Sequence, residues 1–182
     1  MPNPAYHSLG DHTEAFQVEY DPGGIGYRDL LDLFWSDHDP YRPQWSVQYR
    51  TAVFFHSEEQ KELALRSRDL LAAGGRKDVT TAIEPAGAFY PAEDYHQKYH
   101  LRRKGELLRE YLSLYPDPED FLRSTAVARV NGFLGGNGSS EDLEAVTGAL
   151  GLSAEGEERL REYVESTSPR RACPVSARKQ PR

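Results

Sequence analysis

The chain has little cysteine and no long apolar run, and both absences exclude classes of protein. Its 182 residues contain one cysteine, Cys173, which excludes an internal disulfide framework and a cysteine-based zinc site. No stretch approaches the length that spans a bilayer, and the N-terminal residues "MPNPAYHSLGDHTEAF" have no apolar targeting core. These features predict an intracellular, cytoplasmic protein without a membrane partner, and they leave an organelle open.

Positive charge is also scarce, except at the C-terminal end. The net charge of −7 argues against a nucleic-acid partner. Residues 170–182 hold five basic residues and no acid, so the rest of the chain carries −12. Because this end is basic and contains Pro174 and Pro181, residues 167–182 are predicted to form a disordered basic tail.

The first half of the chain alternates between the periodicities of strands and helices. Alternating apolar residues and β-branched or aromatic runs predict three strands, at 14–20, 47–56 and 78–86. An apolar face predicts a helix over 27–38, and Ser57 with Gln60 is the signature of a helix start that continues to Ala73. This order predicts an α+β fold with helices on a sheet.

The second half shows helical patterns only. Four helices are predicted, at 104–115, at 118–136, from Ser140 and at 153–166, and they form an all-α extension over 104–166. Between the halves, "PAEDYHQKYH" (91–100) places two acids, two histidines and two tyrosines in one predicted helical stretch. His96 and His100 lie one turn apart there, so a metal site and a solvated structural surface are both open interpretations.

Five short motifs occur in a recognisable order. They are "NPAY" (3–6), "HTEAFQVEYDP" (12–22), "YRDLLDLFWSDHDP" (27–40), "QYRTAVFF" (48–55) and "FYPAEDYHQKY" (89–99). In order and spacing they resemble the signatures of the peptide methionine sulfoxide reductase A family, the class specific for the S-sulfoxide. The resemblance covers about residues 2–100 and implies a two-layer sandwich, with helices packed on a mixed sheet, over residues 1–103.

The activity that this resemblance implies is the reduction of methionine sulfoxide, free or in proteins, as repair under oxidative stress. A cysteine thiolate attacks the sulfur, a carboxylic acid kept protonated by burial donates to the oxygen, and tyrosine hydroxyls hold that oxygen. The cysteine becomes a sulfenic acid, methionine leaves, and thioredoxin or another thiol reductant restores the enzyme. No metal and no organic cofactor is implied.

Three residues of the family site have counterparts here. The resemblance identifies Glu14, in "DHTE", as the acid and Tyr49, in "QYR", as an oxygen-binding hydroxyl. Tyr6, in "NPAY", matches the second oxygen-binding tyrosine. These residues also form the predicted substrate-binding set. We expect Glu14 to be partly buried near Tyr49, with its pKa raised by desolvation.

Other parts of the family pattern are not matched. The family nucleophile lies in a Gly-Cys-Phe-Trp-Gly motif upstream of Asn-Pro-x-Tyr. In this sequence Met1 comes just before the Asn-Pro-x-Tyr motif, so the nucleophile is predicted to be absent. Gln44 falls near the place of a buried family aspartate. Cys173 lies in the tail, where many members keep resolving cysteines, and one cysteine cannot be both nucleophile and resolver.

The resemblance favours the structural interpretation of residues 91–100, because the family uses no metal. It implies that this segment forms one side of the substrate cleft. Five of its residues are then hydrogen-bonding and solvated side chains that fix the segment: Glu93, Asp94, His96, Gln97 and Tyr99.

Three hypotheses about function follow. The chain is a reductase whose start is shortened in the gene prediction or isoform, or it is a pseudoenzyme that binds methionine or its sulfoxide in peptides without reducing it. In the third hypothesis it is a scaffold that binds partner proteins through its helices. We further expect either that the 118–166 helices pack on the sheet or that the domain shows an exposed strand edge and an apolar patch. The apolar residues of these helices need a surface to bury against: Phe121, Leu122, Val130, Phe133 and Leu134.

Overall fold

Residues 12–74 and 78–167 are described by the computed structural model, and they fall into two units. The mixed unit ends at Pro91 and the helical unit begins at Ala92. The mixed unit contains α1 (Tyr27–Ser36), β1 (Ala52–Phe55), α2 (Glu58–Ala73) and β2 (Ala82–Pro85). The combination of helices and strands confirms the α+β character predicted from the sequence.

The sheet of the mixed unit is a parallel pair of strands joined by a helix. β1 and β2 pair in register from Ala52 opposite Ala82 to Phe55 opposite Pro85. Parallel neighbours need a crossover connection, and α2 supplies it. α2 begins as predicted, because the Ser57 hydroxyl accepts from the Gln60 backbone N–H at 3.2 Å.

All three predicted strands differ from the structure, and the third, predicted over 78–86, is limited to Ala82–Pro85. The predicted strand over 14–20 is wrong: in the described part of the chain no strand pairs with it, and its Phe16 side chain is 85% exposed. The predicted strand over 47–56 begins only at Ala52, since residues 47–49 form a bend and turn. Alternating apolar residues give a strand only where a neighbouring strand takes up the backbone hydrogen bonds.

α1 packs on α2 through a small core. Ala64 and Leu31 are buried there, and the Trp35 indole N–H donates to the Ser67 hydroxyl at 2.9 Å. Two residues after α1, the His38 ring bonds both the Phe34 carbonyl and the Thr81 hydroxyl of the chain leading into β2. These contacts hold the helices against the strand ends.

The helical unit has a core of its own. Its helices are α3 (Tyr99–Arg102), α4 (Gly105–Leu114), α5 (Pro118–Arg123), α6 (Thr125–Leu134), α7 (Ser140–Glu144) and α8 (Ala154–Thr167), with a 3₁₀ turn at Thr147–Ala149. Buried residues from these helices pack together, among them Phe121, Val130, Phe133 and Leu134. These side chains are therefore buried against one another within the helical unit. Among the described residues of this unit none forms a strand.

The predicted single helix over 118–136 is wrong, because it divides at Ser124. Ser124 has extended backbone angles, φ −62° and ψ 123°, and its hydroxyl accepts from the Val127 N–H at 3.3 Å. It thus ends α5 and caps α6. None of the described helices is both long and apolar enough to cross a membrane.

The segment 91–100 is not one helix either. Residues 94–98 form turns, Lys98 has a left-handed φ of 52°, and α3 begins only at Tyr99. The side chain of Asn131 on α6 accepts hydrogen bonds from the backbone N–H groups of His100 and Leu101, at 3.0 and 3.2 Å. Leu101 is fully buried in the helical core. Residues 92–100 therefore belong to the helical unit.

Candidate functional site

One side-chain amide holds together the two predicted site residues that the structure describes. The Gln48 amide nitrogen donates to Glu14 Oε1 at 2.8 Å and to the Tyr49 hydroxyl oxygen at 2.9 Å. The Glu14 backbone N–H also donates to the Gln48 carbonyl at 2.9 Å. A carboxyl group and a phenol hydroxyl therefore lie next to each other, although 34 residues separate Glu14 from Gln48 in sequence.

The predicted burial of Glu14 is wrong. Its side chain is exposed, and Tyr49 is 44% exposed. The physical reason is local. No described strand pairs with residues 14–20, so the Glu14 carboxylate is exposed to solvent beside the turn that contains Gln48. Among the described residues, Glu14 and Tyr49 therefore form a cluster at the surface.

Arg50 links this cluster to the sheet. Its Nε–H donates to the Thr13 hydroxyl at 2.9 Å, and that hydroxyl donates to the Val47 carbonyl at 3.0 Å. The two terminal guanidinium nitrogens donate to the two carboxylate oxygens of Glu84 on β2, at 2.7 and 2.6 Å. This two-pronged geometry is the strong form of an arginine–carboxylate pair.

The ion pair sets the electrostatics beside the cluster. Hydrogen bonds from Arg50, aided by its charge and opposed by desolvation, hold the pKa of Glu84 below its ordinary value. The Arg50 side chain is 23% exposed and that of Glu84 is 41% exposed. The pair is thus partly shielded from solvent, and the lowered pKa keeps Glu84 charged near neutral pH.

Gln44 fixes the loop that precedes Gln48. Its amide oxygen accepts from the Thr51 backbone N–H at 2.9 Å, and its amide nitrogen donates to the Thr51 hydroxyl at 2.8 Å. This reciprocal pair fixes the chain just before β1. The neighbouring Trp45 ring lies 5.3 Å from the Tyr49 ring, centroid to centroid, and is 72% exposed. An aromatic face therefore lies next to the Glu14–Tyr49 cluster.

The remaining predicted residues divide into two groups. The first group lies outside the described residues and consists of Tyr6, Cys173 and the predicted 167–182 tail from residue 168 onward. In the 91–100 segment, Glu93, Asp94, His96 and Tyr99 are exposed, and the Gln97 amide donates to the Ala92 carbonyl at 3.2 Å. Within residues 12–74 and 78–167, no three or more histidine, cysteine or acidic side chains are grouped so that they could hold a metal ion.

Comparison with known proteins identifies the family. A sequence profile described as "Peptide methionine sulfoxide reductase" matches residues 1–146. "Peptide methionine sulfoxide reductase A5" of Oryza sativa subsp. japonica is 43% identical over 136 residues, which cover 71% of this chain and 53% of that protein. The chain belongs to the peptide methionine sulfoxide reductase A family. The profile match extends beyond residue 100, where the recognised motifs end, through α4 to α7.

Two further relatives show how much of a family member is present. "Peptide methionine sulfoxide reductase MsrA" of Methanothermobacter thermautotrophicus is 46% identical over 123 residues, covering 60% of this chain and 73% of that protein. "Peptide methionine sulfoxide reductase" of Drosophila melanogaster is 37% identical over 153 residues, covering 82% of this chain and 61% of that protein. The chain thus spans about half of the rice relative and somewhat more of the other two.

Sequence reasoning missed the two residues that organise the cluster. Gln48 and Arg50 flank Tyr49 in the family motif "QYR", but no role was assigned to either. The signal was their place beside Tyr49 in the same motif, and in the structure a bend and turn over residues 47–49 brings the Gln48 amide to the Tyr49 hydroxyl. Glu84 and Thr13 gave no such signal, because their contacts with Arg50 depend on how distant segments meet.

Proposed function

We propose that the mixed unit carries a recognition site for the sulfoxide group of methionine-S-sulfoxide, free or in proteins, as in a peptide-methionine (S)-S-oxide reductase. The supporting observation is the Gln48 amide, which holds the Glu14 carboxyl group and the Tyr49 hydroxyl side by side. A sulfoxide oxygen is a strong hydrogen-bond acceptor. Tyr49 can donate its hydroxyl hydrogen to that oxygen while its own oxygen accepts from Gln48, and Glu14 can donate when it carries a proton.

Reduction at such a site has a defined balance. A thiolate attacks the sulfoxide sulfur while Glu14 gives its proton to the sulfoxide oxygen; the S–O bond of the substrate breaks and the oxygen passes to the cysteine sulfur, so the products are methionine and a cysteine sulfenic acid. Two thiols, for example those of a thioredoxin-like protein, then reduce the sulfenic acid to the thiol and are oxidised to a disulfide, with release of water. Tyr6 completes the proposed oxygen-binding set, and the proposal needs no metal or organic cofactor.

A second function, binding without reduction, is favoured by one observation. The only cysteine of the 182 residues is Cys173, which lies after the residues that the family profile matches. In this alternative the Glu14–Tyr49 cluster binds methionine sulfoxide in peptides, and the helical unit serves as a scaffold for partner proteins.

The proposal includes the organisation of the chain. Residues 1–103 form the family domain, a two-layer sandwich of helices on a mixed sheet, and the β1–α2–β2 arrangement with α1 on α2 supports this. Residues 104–166 form the all-α extension, and 167–182 the basic tail. The cytoplasmic location and the role in oxidative stress stay predictions.

Calorimetric titration with three peptides tests the proposed site. The peptides share one sequence and carry methionine-S-sulfoxide, methionine-R-sulfoxide or methionine. We expect the S-sulfoxide peptide to bind most tightly. In Gln48→Leu its affinity falls by about two- to tenfold, the effect of losing one or two neutral hydrogen bonds.

Asn137→Leu is the matched control, since it removes a side-chain amide donor, bonded to the Gly132 carbonyl, from the helical unit. It should leave the affinity unchanged. Equal binding of all three peptides, or no binding of any, would contradict the proposed function.

A further inference from the structure

We infer that Arg50 is a positioning residue that fixes the Glu14-bearing segment on the sheet, so that Glu14 and Tyr49 meet at the Gln48 amide. The inference rests on the proposed function for its consequence in ligand binding, although the positioning itself can be measured without a ligand. Arg50 does not belong to the proposed oxygen-binding set. It acts through Thr13 and Glu84.

The segment that carries Glu14 needs such an anchor. Residues 12–20 have no regular secondary structure, so no ladder of backbone hydrogen bonds holds them. Besides the bond from the Gln48 amide to the Glu14 side chain, two contacts to backbone carbonyls connect the start of the segment with the 47–48 turn: the Thr13 hydroxyl with the Val47 carbonyl, and the Glu14 N–H with the Gln48 carbonyl. Each neutral bond of this kind contributes only about 1 kcal/mol net.

Arg50 connects these weak contacts to the rigid part of the unit. Its Nε–H holds the Thr13 hydroxyl oxygen, which orients that hydroxyl so that its hydrogen points to the Val47 carbonyl. The other edge of the guanidinium is fixed by Glu84, which lies on β2. A planar guanidinium presents these three N–H groups at once, and a lysine ammonium on a flexible stem cannot reproduce that geometry.

Amide hydrogen exchange in the Arg50→Lys variant tests the positioning directly. We expect the Glu14 N–H to exchange about tenfold faster than in the wild type, because one charge-assisted hydrogen bond to the segment is lost. The Ala86 N–H, which donates to the Phe55 carbonyl beside the sheet, should keep its exchange rate. Arg68→Lys is the control, since Arg68 pairs with Asp69 on the surface of α2.

The Thr13→Val variant tests the Arg50–Thr13 contact separately from the Arg50–Glu84 pair. It keeps the Arg50–Glu84 pair but removes the hydroxyl, so it should speed Glu14 exchange as Arg50→Lys does. The double variant should then be no faster than either single one. Unchanged Glu14 exchange in Arg50→Lys would overturn the inference. An equal acceleration at Ala86 would overturn it too, since that result indicates general loosening of the unit.

Peptide binding gives the functional readout. Misplacing Glu14 weakens contacts with the sulfoxide oxygen but not those with an apolar side chain, so Arg50→Lys should reduce affinity for the S-sulfoxide peptide more than for the methionine peptide. An equal loss for both peptides would contradict the positioning role. If the wild type binds neither peptide, the proposed function fails, and the exchange rates alone decide whether Arg50 positions Glu14.

Discussion

Arg50 and Glu84 face each other through two parallel hydrogen bonds of 2.7 and 2.6 Å. The pair joins the chain just before β1 to β2, and it does so beside the Glu14–Tyr49 cluster. Since it lowers the pKa of Glu84, the stability of the mixed unit should depend on the ionisation of this carboxyl group.

The first prediction concerns acid unfolding. The pKa of Glu84 in the folded chain lies below its ordinary value of 4.5, so its stabilisation is present above that pH and is lost as the pH falls through the folded value. We expect the free energy of unfolding to decrease on acidification below about pH 4.5, and to decrease less in Glu84→Gln. Urea unfolding followed by tryptophan fluorescence measures this, since both tryptophans, Trp35 and Trp45, lie in the mixed unit.

Glu58→Gln is the control for that experiment, because Glu58 forms an exposed ion pair with Lys61 within α2. Such pairs contribute little to stability, so the variant should follow the wild-type pH profile. If the free energy of unfolding depends on pH in the same way in Glu84→Gln and in the wild type, the Arg50–Glu84 pair does not stabilise the mixed unit.

The second prediction concerns Asn131, whose side chain fixes the start of α3. Asn131→Ala leaves the His100 and Leu101 N–H groups without this acceptor and should lower the free energy of unfolding of the helical unit by about 1–3 kcal/mol. Asn131→Asp keeps the oxygen and should be closer to the wild type. Chemical unfolding followed by circular dichroism measures both. Equal destabilisation by the two variants would show that the acceptor oxygen of Asn131 does not account for the stabilisation of the helical unit.

The third prediction concerns Tyr111, a fully buried residue of α4 whose hydroxyl donates to the Leu150 carbonyl at 2.9 Å. Burial first, and the neighbouring Tyr115 and Glu110 next, raise the pKa of Tyr111 above its ordinary value of 10.0. Tyrosine therefore ionises more readily in the unfolded chain, and the stability of the helical unit should fall as the pH rises above about 10.

Tyr111→Phe isolates this contribution. At neutral pH it leaves the Leu150 carbonyl without its donor and should cost about 1–3 kcal/mol. Above pH 10.0 the difference in the free energy of unfolding between the variant and the wild type should become smaller. The wild type loses stability there as Tyr111 ionises in the unfolded chain, whereas phenylalanine does not ionise. A constant difference across this range would mean that the ionisation of Tyr111 is not linked to unfolding.

The fourth prediction concerns turnover. With dithiothreitol as reductant, the 182-residue chain should not reduce a methionine-S-sulfoxide peptide faster than a control without protein. Its one thiol, Cys173, lies after the residues that match the family profile, and a nucleophile that is not positioned at the sulfoxide forfeits about 7–11 kcal/mol of possible rate advantage. Turnover that disappears in Cys173→Ser would contradict this prediction and would show that the tail thiol reaches the site.

Local signals in the sequence predicted the helices well. Ser57 and Gln60 marked the start of α2, and the apolar spacing before Pro116 marked α4, because caps and helical faces are encoded within one or two turns of chain. Ser124 was missed as a break, since its capping role becomes visible only once α5 and α6 are seen to be separate helices.

The strands and the site were harder, because they depend on distant neighbours. The alternation around Phe16 matched a strand, yet no described strand lies beside it. Glu14 and Tyr49 were predicted through the family resemblance, whereas their connection through Gln48 required coordinates. The contacts of Arg50 with Thr13 and Glu84 span more than 30 residues each, which no local pattern predicts.

The most direct test of the central claim is the location of sulfoxide binding. In a titration of ¹⁵N-labelled protein with the methionine-S-sulfoxide peptide, the side-chain amide signals of Gln48 and the backbone signals of Glu14 and Tyr49 should shift together and saturate. Signals of α4 should stay in place. Shifts confined to the helical unit, or an unchanged Gln48 side-chain signal at saturating peptide, would contradict the account.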